Sequence, residues 1–135
     1  MNRDTRIALL QDIFAAFIER GDIAPLLAAV TDDVSFRLTV LPGTPLSGEF
    51  RGKDGLQTYF ARNAETVETT DFEIDNYLAG GDQVAVVGRE TLKVIRSGET
   101  HRASTWVTLF TFHGDKIERV LVVEDTSPIS AAYAP

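Results

Sequence analysis

The sequence predicts an α+β domain in which helices come first and an antiparallel sheet follows. Three observations carry that reading. Apolar residues recur at helical spacing through much of residues 4–65, and the spacing changes to strand-like alternation near residue 68. From there to residue 125, short turn sequences of the hairpin kind separate one alternating run from the next. Helices gathered at one end and strands at the other point to separate layers rather than to repeated βαβ units.

The elements follow in order. Ile7, Leu10, Phe14 and Phe17 share a helical face, with Asp4 or Thr5 available to cap it. Gly21 ends that helix, and Asp22 opens a second, shorter one through "IAPLLAAV". "DVSFRLTV" alternates as a strand, and "LPGTPLSGEFRG" is rich enough in Pro and Gly to read as a loop. Asp54 can cap a third helix, in which Leu56 and Phe60 share a face and Tyr59 lies beside it. The strands "DFEIDNYL", "VAVVGRETLKVI", "THRASTWVTLFTF" and "IERVLVVED" come next, joined by the turns "GGDQ", "RSGE" and "HGDK". No linker, repeat or low-complexity tract interrupts them, so residues 1–135 read as a single domain.

Composition narrows the function classes. With 44% hydrophobic and 24% charged residues the chain is globular, and its net charge of −7 disfavours nucleic acid and anionic membranes as partners. Without cysteine there is no disulfide, thiol nucleophile or thiolate metal site. The first residues carry Asp4 and Asp12 within a helical pattern, a poor signal peptide, and no apolar run approaches the roughly 20 residues of a membrane helix. The expectation is a soluble cytoplasmic domain. His101 and His113 follow and precede turns, with none of the Glu-x-x-His or His-Glu-x-x-His spacing that would suggest a metal. A Gly-x-Ser-x-Gly elbow is absent, and "RGKDG" lacks phosphate-loop spacing.

The order helix, "GD" with a short helix, "TDDVSF", "GEFRGKDGLQTYF" and "FTFHGDKIERVLVVEDT" resembles the nuclear transport factor 2-like superfamily, and within it the SnoaL-like polyketide cyclase group. The likeness covers nearly the whole chain. Its most specific pieces are "FRGKDGLQTYF", similar to the family's Y-R-G-x-x-G-x-x-x-F-F, and "DKIERVLVVEDT", similar to its G-K-I…Y-Y-D-T ending. The resemblance implies a cystatin-like cone: a strongly curved antiparallel sheet wrapped around three N-terminal helices, enclosing one deep pocket. It also implies a homodimer through the sheet. Relatives include cyclases, isomerases, epoxide hydrolases and dehydratases as well as non-catalytic binding and assembly modules, so fold does not decide chemistry. Departures matter too. Where steroid isomerase relatives hold a base Asp and oxyanion-hole Tyr and Asp, this chain has Leu38, Phe14 and Thr108; SnoaL-like sequences often carry His at the position of Thr108.

Candidate site residues come from faces and from this resemblance. On the last strand Val120, Val122 and Glu124 share one face, and Leu121, Val123 and Asp125 the other. Both faces are apolar, so periodicity leaves the choice open. The resemblance favours Asp125 as acid/base, brought inward by a bulge or kink near residue 124 ahead of Pro128, with a pKa above the ordinary value of about 3.9. The plainer alternative is that Asp125 caps the turn through Thr126 and Ser127. Trp106, Thr108 and Phe110 are expected to face the pocket, with Phe36, Leu38, Phe14, Tyr59 and Phe60 completing it. Trp106 would suit a flat apolar ligand, though a core Trp needs none. Glu90 would gain basicity there by desolvation, or else pair with an Arg at a rim. Two functions therefore stand. One is a cofactor-free cyclase- or isomerase-type enzyme moving a proton on a small hydrophobic carbonyl compound. The other is a ligand-binding or interaction module of the same fold.

Overall fold

A computed structural model describes residues 1–135, and its elements follow the helix-then-strand order. Helix α1 spans Arg3–Arg20; its cap is Asn2, two or three residues earlier than expected, whose Oδ1 accepts from the Thr5 N–H at 2.9 Å. Gly21 closes it at φ 62°, a left-handed value that glycine adopts without strain, and donates to the Phe17 carbonyl at 2.8 Å. Helix α2, Ala24–Ala29, starts with Pro25 in its first turn and with the Asp22 carboxylate accepting from the Ala24 N–H at 2.9 Å. Strand β1, Val30–Leu38, follows directly. The Pro/Gly-rich segment is a loop for most of its length but ends in a short strand β2, Glu49–Arg51. Helix α3 covers Gly52–Thr66, with Asp54 in its first turn rather than at the cap.

Four long strands then build the sheet: β3 Val67–Gly80, β4 Gln83–Val94, β5 Thr100–His113 and β6 Lys116–Glu124. A last helix α4, Ser127–Ala132, which the sequence did not suggest, has Pro128 in its first turn. The sheet order is β2-β1-β6-β5-β4-β3, a six-stranded curved sheet that does not close on itself. One ladder corrects the antiparallel expectation: β1 runs parallel to β6. These two strands are separated by a helix and four other strands, and so long a connection can bring the chain back to the same end of the sheet. The other four ladders are antiparallel. No helix is long and apolar enough to cross a membrane.

Bulges bend the sheet and also reset which residues face inward. In β3 the pairing passes from Thr70–Thr91 to Glu73–Arg89, so one extra residue sits there, and Asp71 takes φ 52°. In β5 the pairing passes from Ser104–Glu90 to His101–Leu92, with Ala103 at φ 50°. In β6 it passes from Ile117–Phe112 to Arg119–Thr111, leaving Glu118 as the extra residue. Helices α1 and α3 cover the concave face, and one buried apolar cluster that includes Leu10, Leu56, Val84, Trp106, Phe112 and Ile117 fills the space between.

At the closed end Arg6 of α1 is buried over the Phe112 ring and donates to the Gly81 and Gly114 carbonyls at 3.1 and 3.2 Å. Its planar fork therefore ties together two hairpin turns that are distant in sequence.

Candidate active site

Between helices and sheet lies a cavity of about 290 Å³, walled mainly by apolar side chains. Every residue proposed from sequence for the pocket lines it: Trp106, Thr108 and Phe110 from β5, Phe36 and Leu38 from β1, Phe14 from α1, Tyr59 and Phe60 from α3. Phe14, Phe72 and Trp106 lie within 30° of parallel, with centroids 4.9 to 6.3 Å apart. Distances that similar for all three pairs make a triangular cluster of offset, near-parallel rings that walls one side of the cavity, rather than a single column. Phe72 was not foreseen. Thr69 also lines the cavity, so unbroken alternation would bring Asp71 inward, and the β3 bulge turns Phe72 in instead. Behind this wall is Gly88, the register partner of Trp106. A Cβ there would run into the indole ring and the Glu73 carbonyl, so the ring lies flat only because residue 88 has no side chain.

The bulge in β6 decides between the two carboxylates. Ile117 and Val120 are both buried, which simple alternation forbids, and after the extra residue Val120, Val122 and Glu124 rise on the concave face. Their partners on β5 are Phe110, Thr108 and Trp106. No bulge occurs near residue 124, where one had been expected, so Asp125 stays at the outer mouth. This corrects the sequence expectation. The Asp125 side chain is 60% exposed, and its Oδ1 accepts from the Ser127 N–H at 3.0 Å. That hydrogen bond holds its pKa below the ordinary value instead of above it, with His101 adding a smaller pull from 3.9 Å. The turn-capping alternative describes its geometry.

Glu124 has the surroundings foreseen for Asp125. Burial first, and the nearby Glu90 charge second, push its pKa up to about 8, while the adjacent Ser104 hydroxyl pulls the other way. Glu90, partnered in register with Ser104, is likewise raised by burial, and it accepts from the Thr69 hydroxyl at 3.3 Å. Two carboxyl groups this close in an apolar pocket cannot both ionise easily, so the pair retains a proton around neutrality. Burial, with both carboxylates adding to it, also drives the Tyr59 phenol upward, so it stays protonated beside them. Glu124 Oε2, Trp106 Nε1 and Ser104 Oγ are buried without a hydrogen-bond partner. The cavity lining includes Asp22, Glu90, Glu124 and Asp125 but no Lys, Arg or His. Thr126, just ahead of α4, and Ile129 of α4 also line the cavity.

Sequence and structure comparisons agree with this architecture. The profile of the SnoaL-like domain family matches residues 10–120. No curated protein matches the chain. Among solved structures, a nuclear transport factor 2-like protein from Burkholderia xenovorans is 28% identical over 98% of each chain, with a TM-score of 0.83. TerC, crystallised with polyporic acid, is 21% identical over 96% of this chain and 98% of its own, with a TM-score of 0.76. A Mesorhizobium loti protein described provisionally as a SnoaL-like polyketide cyclase is 20% identical over 86% of this chain and 96% of its own, with a TM-score of 0.68.

Proposed function

Because the chain belongs to the SnoaL-like domain family, we propose that it binds a small, mostly apolar carbonyl compound and moves a proton on it, as a cofactor-free isomerase or cyclase. One observation carries the reading: the Glu90–Glu124 pair faces an apolar, aromatic-walled cavity with no basic side chain to neutralise it. Such a pair holds one proton at neutral pH, which supplies a carboxylate base and a carboxylic acid at the same point. The acid/base role assigned from sequence to Asp125 passes to Glu124, and Glu90 keeps its own.

Glu90 as carboxylate takes the proton from a carbon next to the carbonyl. The C–H electron pair becomes a C=C bond, and the carbonyl π pair moves to oxygen, which accepts the proton from Glu124. Where a second C=C adjoins the enol, Glu124 then recovers its proton from the enol oxygen, and Glu90 returns its proton to the far carbon of that dienol, so the C=C bond shifts along the chain. The sum is an isomerisation with no net proton uptake and no redox change. If the enol carbon instead attacks a second carbonyl of the same substrate, the outcome is ring closure. TerC, of similar fold, was crystallised with a small molecule, which supports a ligand-holding cavity. We also propose a homodimer through the convex face of the sheet.

The test is solvent deuterium exchange into neutral, enolisable ring ketones, followed by proton NMR. Wild-type protein is expected to speed exchange above buffer, and Glu124→Gln to slow it by about 10² to 10⁴. Exchange at the buffer rate, or an unaffected variant, overturns the enzymatic reading. Tight binding of the same ketones without exchange is the signature of a domain that only holds its ligand.

A further inference from the structure

Trp106 is 2% exposed and lines the cavity, yet its Nε1–H has no partner. An indole N–H can only donate, so what it lacks is an acceptor, and a buried donor left without one keeps its desolvation cost uncompensated. Opposite it in register, Glu124 presents Oε2, also buried and unpartnered. Ionised, that oxygen lacks a donor. Carrying the proton that the pair retains, it becomes a second donor beside the indole. Three of the molecule's unpartnered buried polar atoms gather on this part of β5 and β6, counting Ser104 Oγ one inward position along, and both Trp106 and Glu124 line the cavity.

We infer that Trp106 Nε1–H and the protonated Glu124 carboxyl together form the oxygen-binding subsite for an uncharged, flat-ringed ketone. This rests on the acid–base reading of the same site and assigns its parts: Glu90 is the base, and the oxygen that gains electron density lies between the indole and Glu124. Three further observations fix the ligand class. The wall of Phe14, Phe72 and Trp106 offers near-parallel rings for a flat apolar body. With only acidic ionisable side chains in the carboxylate-bearing lining besides the buried Tyr59, nothing there compensates an anionic ligand, so carboxylates are excluded. The buried Tyr59 phenol is kept neutral by burial and by both carboxylates, so the remaining ionisable group of the lining offers no charge to an ionic ligand.

The chain has one Trp, so its side-chain N–H gives a single indole signal in a proton–nitrogen correlation spectrum. Three probes of similar size are titrated: 1-tetralone, its carbonyl-free analogue tetralin, and 1-naphthoate. Tetralone is expected to bind about tenfold more tightly than tetralin, the worth of roughly one net hydrogen bond, and to move the indole signal downfield. Naphthoate is expected to bind at least tenfold more weakly than tetralone. Trp106→Phe keeps the ring wall and deletes the donor, so it should lower the tetralone-over-tetralin preference to about threefold or less; circular dichroism checks its folding. Equal affinity for tetralone and tetralin, binding of neither, stronger binding of naphthoate, an unmoved indole signal, or a preference that survives in folded Trp106→Phe each overturns the subsite. Should that variant fail to fold, the wild-type spectrum and affinities still decide. No turnover is needed, so loss of the catalytic reading and loss of this subsite are separate results.

Discussion

Trp106 on β5 and Glu124 on β6 are register partners, so the indole and the carboxyl rise side by side from the concave face of the sheet. This pairing places an ionisable group against an aromatic wall, and its first consequence is thermodynamic. Burial raises the Glu124 pKa from 4.5 to about 8, and Glu90 shifts in the same direction. The folded state therefore holds more protons than the unfolded chain between those values, and stability falls as pH rises. The favourable contribution is complete below the ordinary carboxylate pKa and is lost as pH climbs toward 8. Denaturant melts from pH 5 to 8 should show unfolding free energy declining by roughly 1 kcal/mol per unit over part of that range. Glu124→Gln should flatten the slope and be the more stable form at pH 8. A wild-type curve that is level or rising there contradicts the buried pair.

Asp125 makes the contrasting case. Its pKa is lowered by the Ser127 N–H, so its contribution to stability is present above the ordinary Asp value and is lost as pH falls through the lowered folded value. That window lies in acid, well apart from that of Glu124. Asp125→Ala should lower stability only slightly, through the lost hydrogen bond to the Ser127 N–H, while ketone affinity and exchange change less than threefold. A hundredfold loss of exchange in Asp125→Ala, measured beside Glu124→Gln, would return the base to Asp125.

Gly88 tests how rigidly the aromatic wall is held. A methyl group there meets both the Trp106 ring and the Glu73 backbone, and neither is the free end of a flexible side chain. Gly88→Ala is expected to destabilise by about 1–3 kcal/mol and to shift the emission of the lone Trp as the ring is lifted from β4. Unchanged stability together with unchanged emission would mean that the indole does not need the flat floor.

How much of this was legible follows from the same residues. Helix-then-strand order, the hairpin turns and the inward row Ser104, Trp106, Thr108, Phe110 and Phe112 all follow from local patterns of period 3.6 or 2, which a sequence displays directly. The parallel β1–β6 ladder joins strands far apart in the chain, and no local pattern encodes it. The choice between Glu124 and Asp125 turned on a single extra residue, Glu118, six positions upstream of the answer. A shift of one residue exchanges the two faces of a strand, and "DKIERVLVVED" is apolar enough on both faces to fit either register. Phe72 was hidden for the same reason, by the bulge at Asp71.

The convex face carries the last prediction. Leu109 pairs with Leu121 and Val107 with Val123, so four apolar side chains form two adjacent cross-strand pairs on the side away from the cavity. Val123 is 43% exposed, and the other three are half-buried. The patch continues onto β4, where Ala85 pairs with Leu109 and Val87 with Val107, and Arg37 of β1 borders it beside Leu121. Such a contiguous apolar patch is a surface that a second copy can cover, and a two-fold axis would set the patch against itself. Light scattering is expected to give twice the chain mass at micromolar concentration. Leu121→Lys, whose side chain points away from the cavity, should yield a folded monomer with ketone affinity within about threefold of wild type, because the two faces of one strand are independent surfaces. A monomeric mass for the wild type would refute the sheet-to-sheet dimer. A monomeric Leu121→Lys that has also lost ketone binding would show that the cavity depends on the partner copy, and that the faces are not independent.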